Sequence, residues 1–244
     1  MLTALVVEKR YEQHALQLAP FLNSPSKVWS HSGYYAEHPR NSIKAFETAI
    51  NLGAGGLEID VYFDESLQEF VTSHDQPYDL FNGKIQTLTE VLTKFHATTF
   101  YWLDIKNLRQ LSFENKKKAA QTIAALTTKL GIKNRVIVES KNAKDLSTFN
   151  TFDIATLYQI RVHHDEPKVV RWYKGLNIKW DIAQHQISAL SIDYSRFGPD
   201  LPAMFKEMSI YLSTVNDAQQ VIAAGEFSNI KVILTDSDFF HILN

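Results

Sequence analysis

"GGLEIDVYF", residues 55–63, places two carboxylates, Glu58 and Asp60, inside an otherwise apolar run. Side chains alternate along a strand, so Leu57, Ile59 and Val61 share one face while Glu58 and Asp60 share the other. If the apolar face meets covering helices, both carboxylates point to the interior of a closed sheet. Isolated charges there would cost several kcal/mol each unless paired, protonated or bound to a cation. The same alternation recurs in "YWLDIKN" (101–107), where Leu103 and Ile105 point outward and Asp104 and Lys106 inward.

The rest of the chain supplies the sheet that such strands need. Further β-rich runs are "KVWSHSG" (27–33), "EFVTSHD" (69–75), "RVIVES" (135–140), "IATLYQI" (154–160), "ALSIDY" (189–194), "SIYLSTV" (209–215) and "KVILTD" (231–236). Helix patterns lie between most of them. Asn41 reads as the N-cap of a helix with Ile43, Phe46, Ala49 and Ile50 at helical spacing and Gly53 as its stop, and Asn216 reads as the cap of "NDAQQVIAAGEF". Repeated alternation of this kind, about eight units in roughly 250 residues, predicts an α/β fold, the TIM (β/α)8 barrel. Residues 1–244 read as a single domain, in which 1–26 form an N-terminal helical extension whose Val7, Tyr11, Ala15 and Leu18 face covers the bottom of the barrel.

Composition narrows the function. The net charge of −2 offers no global attraction to nucleic acid or anionic membranes, so neither is an expected partner on that ground. No apolar run reaches the roughly 18 residues of a transmembrane helix, and Glu8, Lys9 and Arg10 interrupt any secretory leader, so a cytoplasmic protein is expected. The absence of cysteine excludes disulfides, zinc–thiolate sites and thiol catalysis. An oxygen-only carboxylate cluster suits a hard cation such as Mg²⁺, Ca²⁺ or Mn²⁺; the alternative is a set of internal ion pairs among Glu58, Asp60, Asp104 and Lys106. His31 and His74 each end a β-rich run, where a barrel strand would deliver a side chain to the catalytic mouth, and a histidine pair can supply acid and base near neutral pH.

The ordered set His31-x-Gly33, Asn41-Ser42, Ala45-Phe46, Gly53, Glu58-x-Asp60, His74-Asp75, Asp104-x-Lys106, "TVND" (214–217) and "LTD" (234–236) resembles the glycerophosphodiester phosphodiesterase family over about residues 27–236. That resemblance implies a TIM barrel, a divalent cation held by carboxylates, and hydrolysis of a small-molecule phosphodiester. By motif, His31 and His74 match the two catalytic histidines, Glu58 and Asp60 the paired metal ligands, and Asp104 and Lys106 the third ligand and its neighbouring lysine. Transient lipid contact is compatible with the implied substrates, and Tyr34, Tyr35, Tyr78 and Phe81 are candidates for an apolar rim.

The departures from the family pattern fall around the pocket. Ser32 stands where the family commonly has arginine, and Arg40 where it has glutamate. Asp104 is one methylene shorter than the usual third ligand, and Ser213 replaces a tryptophan. The Ser32 and Arg40 exchange removes a cation at one position and adds one at the other, so Arg40 is expected to reach back and contact a phosphate oxygen, with Lys106 as a second substrate contact. Two other functions share the same barrel: a phospholipid-cleaving phosphodiesterase of the D or C type, and a barrel that binds a phosphorylated ligand without turnover.

Overall fold

A computed structural model of the chain describes residues 2–17, 24, 26–97 and 99–243. Eight parallel strands form its centre: β1 (Val28–Ser30), β2 (Leu57–Asp64), β6 (Tyr101–Ile105), β7 (Val136–Ser140), β8 (Ala155–Gln159), β9 (Ala189–Asp193), β10 (Ser209–Ser213) and β11 (Ile230–Thr235). The sheet closes because β1 pairs in parallel with both β11 and β2. Three shorter strands, β3 (Glu69–Thr72), β4 (Leu80–Phe81) and β5 (Lys84–Ile85), lie between β2 and the next helix. The helices are α1 (Leu2–Ala15), α2 (Ile43–Asn51), α3 (Leu88–Phe95), α4 (Phe113–Lys129), α5 (Ala143–Asn150), α6 (Lys168–His185), α7 (Leu201–Met204) and α8 (Ala218–Gly225). The predicted TIM barrel is the observed fold. No helix among the described residues is long and apolar enough to cross a membrane.

Strand alternation divides the core into two apolar clusters. Leu57, Ile59, Val61, Leu103 and Ile105 belong to the outer one, shared with helix residues such as Phe46, Leu92 and Ile123. Inside the barrel Trp29, Trp102, Ile137, Leu157, Tyr211 and Val232 form a separate plug, with Tyr211 edge-on to both tryptophans at ring separations of 6.3 and 5.5 Å. Residues two positions further along the same strands therefore emerge above a sealed apolar floor: His31 after Trp29 and Asp104 after Trp102. The inward-facing carboxylates of the opening stretch are thus delivered to the C-terminal mouth, the end at which barrels of this kind carry their chemistry.

Two expectations need correction. The run at 69–75 is not a barrel strand: β3 pairs antiparallel with β2, Val61 opposite Thr72 and Asp64 opposite Glu69. Only a tight turn separates the two, its backbone held by Asp64 Oδ1 accepting from the amides of Ser66 and Leu67, and no crossover helix fits in that length. The N-terminal helix, for its part, lies along α6 on the outer wall instead of across the bottom of the barrel. Lys179 of α6 meets Glu8 at 2.7 Å and the Arg10 guanidinium lies over the Trp180 ring. Its last turn alone reaches the loop before β9, where the His14 ring lies 2.8 Å from the carbonyl oxygen of Ile187. Leu18, assigned to the same face, lies outside the described residues.

Candidate active site

The centre of the mouth is built on three neighbouring strands. Beyond β1 the chain turns sharply through Ser32 (φ 54°) and Gly33 (φ 83°), and a Cβ on Gly33 would come within 2.7 Å of Ala45. Glycine is therefore required by both the left-handed backbone and the close approach of α2. This turn aims the Ser32 amide at Glu58 Oε2, 2.9 Å away, and sets the Ser32 hydroxyl 3.2 Å from that oxygen and 3.0 Å from Asp60 Oδ2. Asp104 joins them from β6, in register with Asp60. Glu58, Asp60 and Asp104 each offer an oxygen atom, and the three lie within 4.8 Å of one another.

Charge in this cluster is unevenly balanced. The Lys106 ammonium lies 2.6 Å from Asp60 Oδ1 and 2.6 Å from Asp104 Oδ2. Burial favours the protonated Asp60, but Lys106 and the Asn41 amide outweigh it and hold the carboxyl at about 2. Burial alone would depress Lys106, but Asp104, Asp60 and Glu58 hold its ammonium well above the ordinary lysine value. Glu58 takes up the remaining imbalance: burial, and next the charge on Asp60, push it well above the usual carboxylate range. A dense group of oxygen donors with one carboxyl driven toward protonation is a set that a hard divalent cation would fit, since the cation would replace the proton.

Each predicted site residue has a defined place. His31 Nδ1 lies 2.7 Å from Asp236 Oδ1, which leaves Nε2 facing the cluster, 4.0 Å from Glu58 Oε2. Asp236 is fixed by the Asn216 amide at 2.7 Å; although burial would raise it, the bonds from His31, Asn216 and Tyr35 bring it to about 2. The Arg40 Nη2 donates to Ser32 Oγ at 3.1 Å and lies 3.6 Å from Asp60 Oδ2. His74 follows the hairpin strand β3, where its Nδ1 lies 2.7 Å from Asp75 and the amide of the preceding Ser73 donates to the Asp60 carbonyl oxygen at 3.1 Å.

Sequence reasoning missed three contributors. Asn41 does not cap α2; Ser42 does, accepting from the Ala45 amide, while Asn41 donates to Asp60 Oδ2 at 2.8 Å and accepts from the Asp60 amide. Asn216 likewise yields the cap of α8 to Asp217 and instead holds Asp236. Glu139, opposite Asp104 in the β6–β7 register, is buried inside the barrel and bonded by Trp102 Nε1 at 3.0 Å and by the Ser191 hydroxyl. Burial, then the charge on Asp104, push its carboxyl up to about 8.

Fold and site define a (β/α)8 barrel with a carboxylate cluster and an aspartate-held histidine at its catalytic mouth. No protein-family model matches the sequence. A mouse protein, glycerophosphodiester phosphodiesterase domain-containing protein 4, is 23% identical over 86% of this chain, which spans only 39% of that relative's length. The fold is shared with a candidate glycerophosphoryl diester phosphodiesterase of Silicibacter pomeroyi (TM-score 0.71, 14% identity, 96% of this chain and 97% of that one). It is shared also with a glycerophosphodiester phosphodiesterase of Parabacteroides distasonis (TM-score 0.66, 21% identity, 86% and 92%). A third likeness is to an Oleispira antarctica phosphodiesterase in complex with the product sn-glycerol-3-phosphate (TM-score 0.66, 16% identity, 86% and 92%). The chain is thus similar in sequence, at low identity, to a protein with a glycerophosphodiester phosphodiesterase domain, and it shares its fold with solved glycerophosphodiester phosphodiesterases.

Proposed function

We propose that the chain is a divalent-cation-dependent phosphodiester hydrolase acting on glycerophosphodiesters or a related alcohol phosphodiester. The observation that carries this reading is the convergence of Glu58, Asp60, Asp104 and Lys106 with the Nε2 side of His31 above the apolar floor of the barrel. The product complex of the Oleispira antarctica relative agrees with a small glycerophosphate-containing substrate.

In this reading Glu58, Asp60 and Asp104 would hold the cation, whose bound form would polarise a phosphate oxygen and stabilise developing charge. Lys106 adds a positive contact at the same edge, and Arg40, whose Nη2 donates to the small Ser32 hydroxyl, would offer its remaining guanidinium N–H groups to a second phosphate oxygen. Asp236 accepts the Nδ1 proton of His31 and so keeps Nε2 available to take or return a proton at the reacting oxygen. His74, which follows the hairpin strand β3 on the edge of β2 away from β6, would be the second proton carrier. An attacking hydroxyl on the substrate itself would have the entropic advantage over water, giving a cyclic phosphate first.

The test is direct. Purified chain with Mg²⁺ or Mn²⁺ should convert sn-glycero-3-phosphocholine to a phosphomonoester or cyclic phosphate, followed by phosphorus resonance, and should release nitrophenol from bis(p-nitrophenyl) phosphate. Tight binding of glycerol phosphate without turnover of either diester would favour a binding barrel instead.

A further inference from the structure

The reacting centre occupies the β1–β2–β6 side of the mouth. On its other side it opens into a cleft of about 460 Å³ that shares Asp104 and Lys106 with the centre and runs across the ends of β6, β7 and β8. Each of those strands is followed by a cation on the cleft wall: Arg109 after β6, Lys141 after β7 and Arg161 after β8. The other charges of the wall are engaged. Lys174 pairs with Glu166, Lys106 with Asp60 and Asp104, and Asp181 accepts from the Tyr158 hydroxyl at 3.4 Å. The side chains of Arg109, Lys141 and Arg161 have no acidic or hydrogen-bonding partner among the described residues. Between them the wall presents neutral amides, Asn142 and Gln159, suited to hydroxyl groups.

One phosphodiester carries a single negative charge, and Lys106 and Arg40 already stand beside its expected position. Three further unpaired cations on three adjacent strands exceed what that phosphate requires. Resting on the phosphodiesterase reading above, we infer that this cleft binds the alcohol portion of the substrate, and that this alcohol is a polyol bearing a second, phosphomonoester group. A phosphomonoester carries close to two charges at neutral pH and three acceptor oxygens, which arginine forks and a lysine can meet together. The amides between the cations would read the hydroxyls of the polyol.

The probe pair is glycerophosphoinositol and glycerophosphoinositol 4-phosphate, which differ by the one phosphate. Wild-type kcat/KM should favour the phosphorylated diester by roughly tenfold or more, the scale of one or two charge-assisted hydrogen bonds. In Lys141→Ala/Arg161→Ala and in Arg109→Ala that preference should shrink toward unity. Calorimetric binding of both compounds in chelator should give the same ordering of Kd without any turnover. Phosphatidylinositol 4-phosphate in mixed micelles supplies the remaining arm, and preference for it over the deacylated form would assign the second phosphate to a lipid headgroup. Equal kcat/KM and equal Kd for the two soluble diesters, with no preference for the micellar lipid over phosphatidylinositol, would overturn the inference while leaving the phosphodiesterase reading intact. Preferential binding with no turnover of any diester would sink that reading and keep the anion-binding cleft.

Discussion

Asp236 illustrates how much of the site depends on a residue that need not touch substrate. It fixes one nitrogen of His31 and is itself fixed by Asn216 and Tyr35. Asp236→Asn preserves shape but removes the charge that favours a protonated Nδ1. Turnover should fall by roughly 10- to 100-fold, part of the effect of losing a positioned acid or base. The shape of the pH–rate profile should change with it, whereas a merely structural role would lower activity at every pH alike. Arg40 offers a second residue-scale test. Its contact with Asp60 is long, at 3.6 Å, and its side chain is 37% exposed, so Arg40→Ala should change stability by less than about 1 kcal/mol. If the guanidinium contacts phosphate, Arg40→Ala and Arg40→Lys should both raise KM for a glycerophosphodiester without altering cation affinity; unaltered kinetics in both would remove Arg40 from the site. Glu58, Asp60, Asp104 and Lys106 were legible at this scale because charges in an apolar alternation are conspicuous. Glu139 was not: within "RVIVES" nothing distinguishes a carboxylate that ends a strand in solvent from one sealed against Trp102 and Ser191.

Elements show the same mixture of legible and hidden. Helix starts at α2 and α8 were readable, but each cap falls one residue later than the asparagine that first suggests it. Ser42 and Asp217 take the capping bond, and the released asparagines reach back to hold Asp60 and Asp236. Any of these residue types can cap, so sequence cannot say which of two adjacent ones does. The two roles separate experimentally. Ser42→Ala should cost about 1 kcal/mol in a denaturant melt with activity retained, whereas Asn41→Gly, which keeps the left-handed backbone at φ 58°, should weaken cation binding and turnover. Loss of activity in Ser42→Ala with Asn41→Gly fully active would contradict this division. Gly175 of helix α6 makes room for Met204, whose sulfur would lie 2.8 Å from a Cβ at that position. The hairpin of β2 and β3 did carry a signal, since the turn between Asp64 and Glu69 is too short for a parallel crossover.

The barrel as a whole joins an apolar plug to a charged mouth, and Glu139 sits at the junction. Its carboxyl, near 4.5 in the unfolded chain, is raised to about 8 when folded, so between those values the folded chain holds a proton that the unfolded chain has released. Stability contributed by that proton is complete below the lower value and is lost as pH rises through the higher one. Glu139→Gln mimics the protonated acid at all pH. In chelator, the variant's stability relative to wild type should therefore grow from about pH 5 to about pH 8, by at most about 1.4 kcal/mol per pH unit; a flat difference would mean that Glu139 ionises normally. The closed sheet was legible from strand spacing, and the aromatic plug that lifts the carboxylates to the mouth was not, because inward positions are fixed only once the barrel closes. The central claim is that Glu58, Asp60 and Asp104 together hold one divalent cation on which phosphodiester hydrolysis depends. Its most direct measurement is turnover of sn-glycero-3-phosphocholine by wild type and Asp60→Asn after exhaustive chelation and stepwise return of Mg²⁺ or Mn²⁺. Wild type should fall to background and recover along a single-site saturation curve, while Asp60→Asn remains folded and recovers weakly or not at all; full wild-type activity in chelator would contradict the claim.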